Sequence, residues 1–170
     1  YERNTWETWE NVFISISDDI LKLKDFKYQK ENNSIQIPPP DIMNEILVLF
    51  NKRQFSAVIE KAHAAIEKYP KAIDVWNLLG ASAYQSGMLD KAIETYKRVI
   101  SFKPDFAAAY NNMSVALRDK GKIDEALVVC KKAISIKPEY AQAYNNLGNI
   151  LKDQHKIKQS VKAYEECISI

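Results

Sequence analysis

The fold is decided by residues 107–140, which read AAAYNNMSVALRDKGKIDEALVVCKKAISIKPEY. The block before them, residues 73–106, reads IDVWNLLGASAYQSGMLDKAIETYKRVISFKPDF, and the block after them, residues 141–170, reads AQAYNNLGNILKDQHKIKQSVKAYEECISI. The blocks align without gaps, and Pro70, Pro104 and Pro138 stand 34 residues apart. A fixed period of this length predicts a stacked array of helical units and not one globule.

Each block divides into two amphipathic helices. In residues 107–140, Tyr110, Met113 and Leu117 recur at helical spacing and share one face. Gly121 then interrupts the pattern, and glycine takes the left-handed conformation that ends a helix at little cost. Asp124 stands where it could cap a second helix. The block therefore predicts a helix hairpin.

The same reasoning predicts an all-α fold along the array. The predicted helices cover residues 42–51, 56–69, 74–86, 90–103, 108–120, 124–137, 142–154 and 158–170. No strand is predicted after Pro40. Residues 39–72 are interpreted as a degenerate first repeat that keeps the second half of the pattern, as end repeats often do.

Several positions recur, counted from 1 to 34 so that position 1 is residue 39, 73, 107 or 141. They are Trp76, Tyr110 and Tyr144 at position 4, Leu79, Met113 and Leu147 at 7, Gly80, Ser114 and Gly148 at 8, and Ala92, Ala126 and Ser160 at 20. This pattern resembles the tetratricopeptide repeat. The resemblance implies a right-handed superhelical solenoid of helix hairpins. The AYNNLGN-like blocks are also similar to arrays that accompany O-linked N-acetylglucosamine transferase-like or sulfotransferase domains.

Residues 1–38 do not follow the repeat and are predicted to form a helical extension with a proline-rich linker. Trp6 and Trp9 begin an apolar stripe at helical spacing that continues to Leu23. A strand at residues 11–17 is the alternative, since apolar and polar side chains alternate there. The helix could seal the first repeat, belong to a further domain or partner, or fill the groove as an internal ligand.

The composition argues against several classes of function. The 170 residues carry a formal net charge of +2 and no basic run with interleaved aromatics, so nucleic acid is not an expected partner. The four glycines all fall on repeat positions, which leaves none for a phosphate-binding loop. No apolar stretch reaches the roughly 18 residues of a membrane span, so membrane insertion is not expected.

No catalytic, metal or cofactor site is predicted. His63 and His155 lie in different repeats without a cysteine or carboxylate at ligand spacing. Cys130 and Cys167 fit interior positions as small apolar residues. No disulfide is therefore expected, which suits a cytoplasmic location. Because the last block stops at Ile170, before its closing proline, we expect the sequence to be part of a longer protein.

The expected binding surface is the concave face, where family members expose positions 2, 5, 6, 9, 12 and 13. The candidate binding residues on it are Asn77, Asn111, Asn112, Asn145, Asn146, Asn149, Arg118 and Lys152. Because an asparagine amide both donates and accepts, a ladder of them can pair with the backbone of an extended peptide. This ladder is similar to the one in the repeats of O-linked N-acetylglucosamine transferase.

Two functions are compatible with this sequence. The first is a protein–protein interaction scaffold whose groove binds an extended peptide or a partner helix. The second is the substrate-recruiting arm of a larger enzyme, of glycosyltransferase or sulfotransferase type, with its catalytic domain outside these residues. The segment itself is not predicted to be an enzyme.

Overall fold

The computed structural model describes residues 37–170, and these form eight helices. They are α1 (Pro40–Asn51), α2 (Phe55–Lys68), α3 (Ile73–Gln85), α4 (Leu89–Phe102), α5 (Ala107–Asp119), α6 (Ile123–Ile136), α7 (Ala141–Asp153) and α8 (Ile157–Ser169). Residues 37–170 contain no strand, and the predicted all-α solenoid is confirmed. The predicted helix at Trp6 and Trp9, and its strand alternative, lie outside the described residues.

From α2 onward, each helix begins and ends one residue earlier than predicted. The expected cap at Asp124 is wrong, because the N-cap of α6 is Lys122 and Asp124 lies inside the first turn. There its carboxylate faces the positive end of the helix dipole. Its Oδ1 also accepts a hydrogen bond of 2.7 Å from Nε2 of Gln154. Asp124 therefore links two consecutive hairpins.

The turn inside each hairpin requires a left-handed residue at position 15. Gly87 and Gly121 have φ angles of 77° and 82°. Arg53 and His155 hold the same conformation, with φ angles of 57° and 59°, although they carry side chains. Such a residue costs about 1 kcal/mol. The turn of the α1–α2 hairpin therefore has the same backbone conformation as the turns of the other three hairpins, although its sequence is degenerate.

The two helices of a hairpin meet closely at positions 8 and 24. The pairs are Gly80 with Tyr96, Ser114 with Cys130, and Gly148 with Tyr164. A Cβ atom on Gly80 would lie 2.7 Å from Cε1 of Tyr96, so the ring needs a glycine beneath it. In the α5–α6 hairpin, position 24 is Cys130, which is smaller than tyrosine and leaves room for the side chain of Ser114 at position 8. Ser114 is fully buried there.

The helices converge on one side of the array. First helices of neighbouring hairpins contact each other, α1 with α3, α3 with α5 and α5 with α7. Among the described helices, the second helices do not contact one another; α2, α4 and α6 each pack between two first helices. The side of the first helices is therefore concave, and its exposed residues line a groove.

Ser82 is the one residue of the described part with a buried side-chain oxygen or nitrogen that lacks a hydrogen-bond partner. Ala116 and Ile150 occupy the same position 10 in later hairpins and are fully buried as well. We expect Ser82→Ala to raise the free energy of unfolding by about 1 kcal/mol, because it removes an unpaired buried hydroxyl. Urea denaturation measures the change, and the reverse substitution Ala116→Ser serves as the control, with a loss expected. A lower stability for Ser82→Ala would contradict the prediction.

Candidate functional site

A chain of asparagine side chains runs across three first helices on the concave side. Nδ2 of Asn146 on α7 donates to Oδ1 of Asn111 on α5 at 2.8 Å. Nδ2 of Asn111 donates to Oδ1 of Asn112 at 3.3 Å, and Nδ2 of Asn112 donates to Oδ1 of Asn77 on α3 at 3.4 Å. We call these four residues the asparagine chain. Every bond runs in the same direction, so the chain ties the hairpins together in a fixed register.

The six predicted groove asparagines differ in their exposure. Asn111 is fully buried and Asn146 is almost so. Asn77, Asn112 and Asn149 are half-buried, and Asn145 is exposed. Position 5 is an asparagine in three repeats, and its burial differs in each: Asn111 is buried, Asn77 is half-buried and Asn145 is exposed. The neighbouring first helix accounts for the difference between Asn111 and Asn145. The next first helix, α7, packs beside α5 and its Asn146 bonds to Asn111, whereas no first helix follows α7 among the described residues.

Two tyrosines extend from the second helices, on the side away from the groove, toward the groove asparagines. Tyr96 on α4 lies beside the side chain of Asn112, and burial raises the pKa of its hydroxyl. The hydroxyl of Tyr164 on α8 donates to Oδ1 of Asn149 at 2.9 Å. This bond holds the oxygen of Asn149, whereas no side chain or backbone group within residues 37–170 accepts a hydrogen bond from its amide N–H groups. The sequence contained a signal for these contacts, because a glycine at position 8 leaves room for the tyrosine ring at position 24 to lie against the first helix.

A charged strip follows the asparagine chain at positions 12 and 13. The hydroxyl of Tyr84 donates to Oδ2 of Asp119 at 2.6 Å. Burial first, and then this bond to a carboxylate, raises the pKa of Tyr84 to about 12. Arg118 contacts Oδ1 of Asp119 at 2.7 Å and Oδ2 of Asp153 at 3.8 Å. The guanidinium is thus neutralised by α5 and α7, while Lys152 is exposed.

The groove is apolar at the first hairpin. Met43, Leu47 and Phe50 of α1 occupy positions 5, 9 and 12, and Leu78 of α3 occupies position 6. Leu47 is 39% exposed, and the other three are half-buried. The sequence did not predict this surface, because residues 39–72 match the repeat only in their second half. The groove therefore changes from apolar to amide-rich along its length.

The residues that often carry chemistry are dispersed. Within residues 37–170, no three His, Cys, Asp or Glu side chains are arranged to hold a metal ion. His63 lies on α2, where burial lowers its pKa, and His155 lies in the turn between α7 and α8. Cys130 and Cys167 are free thiols, and burial raises the pKa of Cys130 to about 11. None of the helices within 37–170 is long and apolar enough to cross a membrane.

The repeats agree with models of known families. Residues 80–117 and 115–155 match a model described as TPR repeat, and residues 141–170 match one described as tetratricopeptide repeat. Together the matches span more than half of the chain. The chain belongs to the tetratricopeptide repeat family, and its array is a protein–protein interaction scaffold.

Curated relatives are similar to about half of the chain. The peroxisomal targeting signal receptor of Eremothecium gossypii is 33% identical over 87 residues, which are 50% of this chain and 15% of the receptor. The peroxisomal targeting signal receptor of Candida glabrata is 36% identical over 81 residues, 46% of this chain and 14% of the receptor. The matched region is thus a small part of each receptor.

Solved structures share the fold. A crystal structure of MamA matches with a TM-score of 0.69 at 17% identity, over 94% of this chain and 91% of that chain. A structure described as MamA MSR-1 C2 matches with a TM-score of 0.62 at 18% identity, over 73% of this chain and 71% of that chain. At such identities the likeness shows the fold alone, and that fold is the solenoid described above.

Proposed function

We propose that the concave groove binds an extended peptide segment of a partner protein and pairs with its backbone through asparagine amides. The observation that carries the proposal is the pair Asn145 and Asn149 on α7. Asn145 is exposed, and Asn149 is half-buried with its oxygen held by the hydroxyl of Tyr164. The amide of Asn149, held in this way, can bind a peptide without a large loss of side-chain entropy, and the exposed amide of Asn145 offers a further donor and acceptor.

The buried asparagines have a different role in this proposal. Asn111 and Asn146 bond to each other and hold α5 and α7 at a fixed spacing. Asn77 and Asn112 lie at the groove surface and extend the amide row toward the apolar first hairpin. A suitable ligand is then an extended peptide that places apolar side chains at α1 and pairs its backbone along α3, α5 and α7.

The similarity to receptors for a targeting signal supports a peptide ligand. The same similarity gives no support to the alternative of an enzyme's recruiting arm, since the relatives found are named as receptors. We therefore propose a non-enzymatic role for this segment. A cytoplasmic location, no role for nucleic acid, and residues 1–38 as a separate extension before an array of residues 39–170 stay predictions.

The proposal is tested with a peptide selected from a phage-displayed random library and titrated calorimetrically. We expect the double substitution Asn145→Ala and Asn149→Ala to weaken binding by roughly tenfold or more, because each lost amide contact costs about 1 kcal/mol. Helical content should be unchanged, since Asn145 is exposed and the half-buried Asn149 loses only its one bond to Tyr164. N-methylation of the peptide backbone should weaken binding to a similar degree.

The matched control is Gln159→Ala, which removes an exposed amide from α8 and should leave the affinity unchanged. Salt should have little effect, because the proposed contacts are uncharged. A steep salt dependence would instead point to Arg118 and Lys152 as the anchors. Failure to select any peptide, or equal affinity of the double variant and the original chain, would reject the groove as the binding site.

A further inference from the structure

Two asparagines of the groove have their side-chain oxygens held by the protein itself. Oδ1 of Asn77 on α3 accepts from Nδ2 of Asn112 at 3.4 Å, and Oδ1 of Asn149 on α7 accepts from the hydroxyl of Tyr164 at 2.9 Å. Within residues 37–170, the amide N–H groups of Asn77 and Asn149 donate to no group. Each residue thus has two unused donors, whereas its acceptor is already engaged. We call Asn77 and Asn149 the donor pair.

The unused N–H groups of the donor pair are accessible to solvent. Ser82 is the one residue within 37–170 whose side chain has a buried oxygen or nitrogen without a partner. The unpaired Nδ2 atoms of the half-buried Asn77 and Asn149 are therefore not buried. Both residues lie on the concave side of first helices, so a ligand in the groove can reach these donors. Such a ligand satisfies them only with hydrogen-bond acceptors.

The internal bonds also hold the two amides in one orientation. Asn112 accepts from Asn111 and donates to Asn77, so its own amide cannot turn over without losing both bonds. Turning over the amide of Asn77 would then oppose its N–H groups to those of Asn112. The hydroxyl of Tyr164 holds Asn149 from the second helix of its own hairpin. Because these donors are already oriented, binding a ligand costs them little side-chain entropy.

We infer, on the basis of the peptide-binding function proposed above, that the donor pair binds two backbone carbonyl oxygens of the ligand about six residues apart. First helices that contact each other lie about 8–10 Å apart, and α5 alone lies between α3 and α7. Position 9 is displaced from position 5 by about 6 Å along the helix. The two amides are then roughly 20 Å apart, which equals about six residues of extended chain.

Asn145 on α7 differs from the donor pair. Its side chain is exposed, and within residues 37–170 neither its oxygen nor its nitrogen makes a hydrogen bond. Its amide can therefore present either atom to a ligand, including the oxygen to a peptide N–H group. An extended peptide offers both C=O and N–H groups along one edge. The groove thus combines two fixed donors with one adaptable amide.

Substitution by aspartate distinguishes bound carbonyls from bound N–H groups. The full 170-residue chain is titrated calorimetrically with the peptide selected above. Aspartate keeps an oxygen for Asn112 or Tyr164 but replaces the N–H groups with a second acceptor. We expect Asn77→Asp and Asn149→Asp each to weaken binding by at least about tenfold, and by more than alanine at the same position, because a carboxylate oxygen then opposes a carbonyl oxygen.

The matched control is Asn145→Asp, which adds the same charge at the repeat position of Asn77. It should weaken binding by less than about threefold, because its carboxylate still accepts from a peptide N–H group. The spacing is tested on the unaltered chain with peptides in which one carbonyl oxygen at a time is replaced by sulfur, a weaker acceptor. We expect two sensitive carbonyls about six residues apart, one of which loses its sensitivity in Asn77→Ala.

Aspartate variants of the donor pair that bind as tightly as the original chain would overturn the inference, since the ligand would then offer N–H groups there. An equal loss in Asn145→Asp would overturn it as well, because added charge alone would explain the effect. So would a sulfur scan without two sensitive carbonyls. In each of these cases the loss caused by Asn145→Ala with Asn149→Ala would still identify the groove as the binding site. Full affinity of that double variant would reject the groove itself.

Discussion

Replacing Gly80 with leucine is expected to lower the free energy of unfolding by about 3 kcal/mol, at the upper end of the range for overpacked cores. The reason is the ring of Tyr96, which passes directly over Gly80. Even a single Cβ atom would lie 2.7 Å from Cε1 and 3.0 Å from Cδ1 of that ring. Tyr96 is only 1% exposed, so the ring has no free space into which it could move. The two helices must separate to admit the new side chain.

Gly148 provides an informative comparison. A Cβ atom there would lie even closer to its tyrosine, 2.4 Å from Cε1 of Tyr164. Tyr164, however, belongs to the last helix and is only half-buried, so its ring can rotate toward solvent. Gly148→Leu should therefore cost less than Gly80→Leu, despite the shorter distance.

Urea denaturation of the two variants measures this difference. Lys122→Ala is the control, because it removes only an exposed ion pair with Glu125 and should be near neutral. A stability of Gly80→Leu equal to that of Lys122→Ala would mean that positions 8 and 24 do not face each other. The opposite order of the two glycine variants would contradict the role assigned to ring mobility.

The architecture could be predicted from sequence because it depends on local, repeated signals. The 34-residue period, the breaks at Gly87 and Gly121 and the helical stripes each report on a few neighbouring residues. The ends of α2 to α8 were predicted one residue late, and at α6 Asp124 was interpreted as the cap. In the structure that carboxylate serves the contact between hairpins instead. Such a contact depends on residues about 30 positions away and leaves no local pattern.

The groove was predicted less completely for the same reason. Repeat position identifies the helix face on which an asparagine lies, but not the number of neighbours that cover it. Asn111 and Asn145 share position 5, yet one is buried and the other exposed. The apolar section at Leu47 was missed because its repeat is degenerate. Burial is a property of the stacked array, and the stacking is decided by side chains of adjacent repeats.

Asn111→Ala is expected to lower the free energy of unfolding by about 2 kcal/mol, because it leaves two buried or half-buried groups without partners. These are Nδ2 of Asn146, which donates to Asn111, and Oδ1 of Asn112, which accepts from it. Asn145→Ala is the matched control at the same repeat position, and it should be near neutral because its side chain is exposed.

A cavity alone could also destabilise the Asn111 variant, and Asn111→Leu separates the two causes. Leucine restores most of the side-chain volume but offers no hydrogen bond, so the leucine variant should remain well below the original chain in stability. Urea denaturation of the three variants gives the comparison. If Asn111→Leu were as stable as the original chain, the bonds of the asparagine chain would contribute little, and packing alone would fix the register of the hairpins. If Asn111→Ala and Asn145→Ala cost the same, Asn111 would not be buried between α5 and α7, and the amide row of the groove would have to be redrawn.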